Sequence, residues 1–216
     1  MSMITTSVIT QKGGAGKTTL LASLAVAAAE TGEKVIALDL DPQASLATWG
    51  NERAAETLDI DRVGPDQLPN LKAILQALER EGYTYAFLDT AGVANASGAI
   101  AMAASDLILV PARPSRIDIL ATMSTIEAAI GMGMRDRFAF VLNQCPPGRN
   151  SRAGEAGKGL SLLGLLAEPT ITQRADHQDA LATGQGVTEY APDGKAADEI
   201  RALWQWVQRK TKGKQG

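Results

Sequence analysis

Short apolar runs rich in β-branched residues alternate along the chain with longer stretches in which apolar positions recur at helical spacing. Residues 4–10 read as a β-branched strand, and beyond a cluster of glycines at Gly13, Gly14 and Gly16 the positions Leu20, Leu21, Leu24 and Ala25 carry the period of a helix. Runs at 34–40, 83–88, 106–111 and 138–142 read as buried parallel strands. Residues 56–70 mix acids with Gly64, Pro65 and Pro69 and predict a short strand and loop at one sheet edge. The stripe Leu71, Ile74, Leu75 and Leu78 predicts an amphipathic helix ending at Gly82. Residues 94–104 predict a helix of small residues, and 169–172 a further short strand. The last helix puts Ile200, Leu203, Trp204 and Val207 on one stripe and leaves Trp206 off it as an exposed aromatic. Strands alternating with helices predict an α/β fold, a doubly wound, mainly parallel sheet of about seven strands flanked by helices.

Composition narrows the class. A chain of 216 residues with 45% hydrophobic residues can bury a sizeable core and is expected to form one domain over residues 1–216. The lone Cys145 provides no disulfide framework within the chain and argues for a reducing, cytoplasmic setting. The opening residues read as a strand and not as a secretory signal, and the most apolar run, 20–29, is alanine-rich and too short to span a bilayer. Net charge is −3, so any contact with nucleic acid must come from a local patch.

The candidate chemistry starts at Gln11, Lys12, Gly13, Gly14, Ala15, Gly16, Lys17, Thr18 and Thr19, a glycine-rich turn between the first strand and the first helix. Phosphate oxygens must come close to backbone N–H groups, and glycines both remove side chains and permit positive φ. The helix N-terminus that follows presents free N–H groups and a positive dipole end to the same anion. Lys17 can reach β and γ oxygens, and the Thr18 hydroxyl is placed to coordinate magnesium. Asp39 and Asp41 end the second core strand and Asp89 ends another, and in open α/β sheets ligands bind at the carboxyl ends of strands. Two roles stay open for Asp41: facing the triphosphate, or capping the helix that begins near Ala44.

The order Lys, Gly, Gly, x, Gly, Lys, Thr, Thr from Lys12 to Thr19, with Gln11 where the common phosphate-binding loop has glycine, resembles the deviant Walker A box of the ParA/MinD family of P-loop ATPases. The stretch Asp, Leu, Asp, Pro, Gln from Asp39 and the run Ile, Thr, Gln, Arg from Ile171 resemble its short plasmid-partition members of ParF type. The resemblance implies ATP and Mg²⁺ as cofactors and ATP hydrolysis as the activity. It implies that Lys12 reaches a partner's nucleotide across a dimer interface, that Lys17 binds phosphate, and that Asp41 orients the attacking water. Gly13, Gly14, Ala15, Gly16, Lys17, Thr18 and Thr19 form the nucleotide loop, Thr18, Asp39 and Asp89 the magnesium shell, and Asn143 and Thr172 the adenine pocket. Nitrogenase iron protein shares this kind of loop but needs cysteine ligands that one cysteine cannot supply.

Two segments outside the loop bear on partners. Residues 112–118, with Pro114 and Asp118, lie near the dimer interface in the resembled family and equally suit a helix start capped by Ser115. Residues 135–158, with Arg135, Arg137, Arg149, Arg152 and Lys158, read as a flexible basic loop around the strand at 138–142. From Ile200 onward there are five positive charges and no negative one, and Arg209, Lys210, Lys212 and Lys214 beside Trp206 suit a sequence-independent grip on DNA phosphates, with Arg174 a further candidate. That end lacks the apolar face that membrane insertion needs. His177 has no neighbouring ligand spacing and receives no role. Ten residues before Gln11 leave no room for a helix-turn-helix domain, so operator recognition is expected to belong to a partner. The expected function is a DNA partition ATPase that dimerises with ATP, binds nonspecific DNA and is switched by a small centromere-binding protein of ParB or ParG kind. Positioning of a protein or membrane cargo, or a metabolic enzyme resembling dethiobiotin synthetase, are the alternatives.

Overall fold

The structure is a computed structural model that describes residues 2–91, 96–148 and 151–212. Seven parallel strands form one sheet in the order β3-β2-β4-β1-β5-β6-β7, composed of β1 (Ile4–Val8), β2 (Val35–Asp39), β3 (Asp59–Arg62), β4 (Tyr85–Asp89), β5 (Leu107–Ala112), β6 (Phe138–Leu142) and β7 (Leu165–Leu166). The connecting helices are α1 (Lys17–Glu30), α2 (Ser45–Asn51), α3 (Leu71–Arg80), α4 (Ala96–Ala104), α5 (Arg116–Gly131), α6 (Ser151–Leu163), α7 (Ala175–Ala182), α8 (Val187–Tyr190) and α9 (Lys195–Lys212).

Alternate side chains of each strand enter two cores. Tyr85 and Phe87 of β4 pack with Leu21, Leu24, Trp204 and Val207 of α1 and α9, whereas Ala86 and Leu88 pack on the opposite side with Leu71, Met102 and Ile108. Because both faces are covered, the central strands are buried throughout and read as continuous apolar runs. In α1 every residue from Leu20 to Ala28 is buried, and its alanines let neighbouring elements approach closely. The edge strand β3 instead carries Asp59, Asp61 and Arg62, charges that discourage pairing with another chain.

Three expectations are corrected. The seventh strand is Leu165–Leu166, paired with Ala139 and Phe140, and the predicted 169–172 segment contributes only an isolated bridge between Thr172 and Cys145. Pro169 has no N–H for a ladder, while Ala167 and Ile171 on either side still donate to Phe140 and Leu142. Residues 135–158 are not one loop: past β6 the chain forms α6, whose Ala156 and Leu160 are anchored in the core. Trp206 is 6% exposed and belongs to the core, so the exposed aromatic expected beside the basic C-terminus does not exist. Its position just off the stripe still faces inward because the stripe on α9 is wide enough to take in Ile200, Leu203, Trp204, Trp206 and Val207 together.

Candidate nucleotide site

β1 ends at Val8 and α1 begins at Lys17, with Gly16 as its N-cap in the left-handed region at φ 81°. Gly14 is also left-handed, at φ 73°, and such conformations turn successive backbone N–H groups toward one concavity that suits an anion. A Cβ on Gly16 would lie 2.8 Å from Asn143 Nδ2, so glycine is required there for space as well as for backbone. Gly13 differs from both. Its φ is not positive and an added Cβ would meet nothing within 4 Å, so neither backbone nor packing among the described residues demands its bareness.

The three strand-end carboxylates are delivered by neighbouring strands with different surroundings. Asp39 is fully buried; its Oδ1 accepts from the Asp41 N–H at 2.9 Å and its Oδ2 from the Ala47 N–H at 2.8 Å. Ala47 lies in the first turn of α2, so Asp39 and not Asp41 caps that helix. Asp41 is half-buried at the rim, where its Oδ1 accepts from the Gln43 N–H and closes a local turn. Asp89 is 1% exposed; Oδ2 accepts from the Thr18 hydroxyl at 2.7 Å, and Oδ1 is buried with no partner among the described residues. Burial pushes the Asp89 carboxyl up to about 7, and Asp39 and Asp41 push the same way, while the Thr18 hydrogen bond and Lys17 pull it down.

A hard divalent cation fits that arrangement. The orphaned Asp89 Oδ1 and the Thr18 hydroxyl are oxygen donors side by side, and a carboxylate this poorly compensated is what magnesium would neutralise. Among the described residues no cluster of three or more His, Cys, Asp or Glu could hold a metal alone. Asp39, expected beside the metal, has each oxygen already engaged by a backbone N–H.

Two clefts meet at Gly14, Gly16 and Thr19. One contains Lys17, Thr18, Asp41, Pro42, Gln43 and Ala91, and the other Asn143, Gln144, Ile171, Thr172, Arg174 and His177. The first has the phosphate chemistry, and the second extends from it over the end of β6, where Asn143 and Thr172 were expected. Asn143 donates one Nδ2 hydrogen to the Ala15 carbonyl at 2.8 Å, which leaves its oxygen and the second Nδ2 hydrogen to offer a base. Thr172 commits both its N–H and its hydroxyl to Glu199, at 2.8 Å each, and contributes a wall to the cleft with no free hydroxyl donor. His177 also lines this cleft, with Nε2 buried and without a partner among the described residues, and burial holds its imidazole below the ordinary range.

Lys12 sits half-buried on the loop and makes no ion pair among the described residues. Ser115 caps α5 by accepting from the Asp118 N–H, and Asp118 in turn accepts from Ser115 and from Arg113 at 2.9 Å, so the helix-start reading of 112–118 holds. Arg174 pairs with Glu199 at 2.7 Å, on the wall of the nucleotide cleft. Arg209, Lys210 and Lys212 lie at the far end of α9, 10 residues or more beyond Glu199 and so about 15 Å away along the axis. There Thr211 bonds Tyr85, the first residue of β4, whereas Asp89 is its last. The structure thus separates Arg174 from the basic end, which sits at the opposite end of the sheet from the phosphate loop. Lys210 lies over the Trp206 ring at 5.8 Å. Lys214 lies outside the described residues, as does Arg149.

Sequence reasoning missed Glu199 because its partners are 25 and 27 residues away and no local pattern marks it. The Gln144 amide donates to the Gly14 carbonyl at 3.1 Å, a contact between residues 130 apart that no local pattern marks either.

Comparison with known proteins agrees with this geometry. The family model described as VirC1 protein matches residues 1–153. The chain is 34% identical over 142 residues to protein virC1 of Rhizobium radiobacter, covering 63% of this chain and 62% of that protein. It is 30% identical over 203 residues to maintenance of carboxysome distribution protein A of Gloeobacter kilaueensis, covering 93% and 90%. Protein ParA of Rhizobium radiobacter is 32% identical over 118 residues, 51% of this chain and 49% of that protein. Among solved structures, the MinC:MinD cell division complex of Aquifex aeolicus superposes with TM-score 0.78 at 16% identity, covering 95% of this chain and 96% of that one. A Cyanothece McdA with an aspartate-to-alanine substitution, in complex with ATP, gives TM-score 0.76 at 17% identity over 97% and 96%. The chain belongs to the VirC1 family and, with it, to the ParA/MinD group of deviant Walker A ATPases, whose members bind and hydrolyse ATP.

Proposed function

We propose that this protein is a partition ATPase, of the short ParF-like kind, in which ATP and Mg²⁺ join two copies face to face and hydrolysis releases them. The observation that carries the reading is Lys12: a lysine beside the phosphate nest with no ion pair among the described residues, in a site that already has Lys17 for its own phosphates. A second copy's nucleotide gives that cation a partner. Lys17 and the loop N–H groups hold the phosphates, and Thr18 and Asp89 hold the metal, which when bound draws charge from the transferring phosphoryl group. Asp41, half-buried at the rim with one oxygen outside the turn it closes, orients the attacking water.

In the ATP-bound dimer the basic end of α9, with Arg209, Lys210 and Lys212, binds DNA phosphates without regard to sequence, and a small centromere-binding protein stimulates hydrolysis. The ATP-bound dimer is expected in the cytoplasm on the nucleoid; no helix among the described residues is long and apolar enough to cross a membrane. A second reading keeps the ATPase and changes the cargo: the relative matching 93% of this chain is named for carboxysome distribution, which favours positioning of a protein body over the nucleoid.

Sedimentation with plasmid DNA and with anionic liposomes, each with ATP, ADP or neither and at two salt concentrations, tests the proposal. ATP-dependent, salt-sensitive pelleting with DNA alone is expected. Pelleting with liposomes, or with neither, sinks the DNA reading.

A further inference from the structure

Gln144 is one of two non-glycine residues with positive φ among the described residues, at 53°. Its neighbours leave it little choice. Asn143 N–H donates to the Ala112 carbonyl at the end of β5, and Cys145, itself buried, donates its N–H to the Ile171 carbonyl. Fixed on both sides, the backbone at Gln144 is held in a region that long side chains disfavour and that glycine would enter freely. Such conformations persist where a site needs the side chain they aim.

What this one aims at is the phosphate loop. In a nest the N–H groups converge on the anion and the carbonyls point away, so the outward carbonyls need donors of their own. Gln144 Nε2 donates to the Gly14 carbonyl at 3.1 Å and Asn143 Nδ2 to the Ala15 carbonyl at 2.8 Å, two consecutive loop carbonyls held by two consecutive amides. The missing Cβ of Gly16 admits both, since it would otherwise lie 3.2 Å from Gln144 Nε2 and 2.8 Å from Asn143 Nδ2. We infer that Gln144 is a positioning residue for nucleotide binding, whose strained backbone aims its amide at the Gly14 carbonyl and so, with Asn143, clamps the phosphate loop with its N–H groups turned inward.

The clamp joins the two clefts, because Asn143 and Gln144 line the base side while the carbonyls they hold belong to the phosphate side. Loss of the Gln144 amide therefore loosens the anion nest without removing any group that touches the phosphates. This rests on the nucleotide-site reading above, and the test separates the two.

Two variants remove the donor in opposite structural contexts. Gln144→Met keeps the length and the backbone strain; Gln144→Gly relieves the strain. Both are titrated with a fluorescent ATP and a fluorescent ADP in the presence of Mg²⁺, beside wild type, and melted without nucleotide. Each variant is expected to bind both nucleotides about fivefold more weakly, the scale of one neutral hydrogen bond, with KM raised by the same factor and kcat kept. The Gln144→Gly protein is expected to melt no lower than wild type, so that affinity falls while stability does not. Wild-type affinity in Gln144→Met overturns the clamp, whatever the glycine variant does. Failure of wild type itself to bind ATP overturns the nucleotide reading and the clamp with it.

Discussion

Asp39 and Asp89 are register partners at the ends of adjacent parallel strands, and both are buried, yet only one is compensated. Asp39 has a backbone N–H on each oxygen, whereas Asp89 has the Thr18 hydroxyl on one oxygen and, among the described residues, no partner on the other. Burial of the Asp89 carboxyl, with only the Thr18 hydroxyl on one oxygen, pushes it up.

That asymmetry gives the nucleotide-free protein a pH dependence of fixed sign. The Asp89 carboxyl rises from 3.8 in the open chain to about 7 in the fold, so between those values the folded state holds a proton that the unfolded state has lost. On this group's account stability is greatest below about pH 4, falls as pH rises toward 7, and levels off above it. Asp89→Asn should flatten this part of the curve and raise the melting temperature at pH 8, while abolishing Mg²⁺-dependent nucleotide binding. Melting curves from pH 4.5 to 8 check the first, and a titration with and without Mg²⁺ the second. An unchanged slope in the variant would show that Asp89 is not the titrating group.

Asp41 should behave differently because no helix depends on it. The one hydrogen bond of its carboxylate among the described residues closes a turn to Gln43, so Asp41→Ala should cost about 1 kcal/mol of stability or less in urea unfolding. Hydrolysis should fall by two orders of magnitude or more with ATP still bound, and the protein should elute as a dimer with ATP, read by phosphate release and light scattering. Lys12→Ala should lose both the dimer and the hydrolysis. An Asp41→Ala protein that stays monomeric with saturating ATP contradicts the proposed role.

The parts of the site that were legible in the sequence are those in which one strand end supplies one residue type. The loop from Lys12 to Thr19, and Asp39, Asp41 and Asp89, could be placed because parallel strands bring their carboxyl ends to one edge and because their cores are continuous apolar runs. Roles assigned within that set were less legible. Asp39 and Asp41 are two residues apart, and only the backbone path into α2 decides which one caps it. Trp206 looked exposed because a helical stripe drawn from four positions is narrower than the buried face that α9 presents. The seventh strand was misplaced because two residues at a sheet edge carry no period to read.

Glu199 shows how a site wall can depend on a residue with no motif. Its two oxygens take the Thr172 N–H, the Thr172 hydroxyl and Arg174, three donors at 2.7–2.8 Å, which fasten the 172–174 segment to the start of α9. Glu199→Ala strands those donors and leaves Arg174 without its counter-ion, a loss expected to cost about 2–4 kcal/mol. Urea unfolding checks this, and nucleotide titration should show weaker binding for ATP and ADP alike. Glu199→Gln keeps an acceptor for Thr172 and should lie between wild type and the alanine variant.

Arg174 and the α9 basic end make opposite predictions although both were candidates for DNA. Arg174 is paired on the wall of the candidate nucleotide cleft, so on the proposed reading Arg174→Ala should weaken nucleotide binding and leave the salt dependence of DNA binding by the ATP-loaded protein unchanged. Arg209, Lys210 and Lys212 sit at the other end of the sheet with no ion pair among the described residues. Replacing all three by Ala should preserve nucleotide affinity while weakening DNA binding. Each lost phosphate contact should also reduce the slope of log affinity against log salt by about 0.9. Because Thr211 and Trp206 anchor this end of the helix from within the core, the triple variant should remain folded, which the melting temperature checks. Filter binding of nonspecific duplex DNA across a salt series, with ATP present, measures the slope. An unchanged slope would remove the α9 end from the DNA surface and leave the ATPase reading intact.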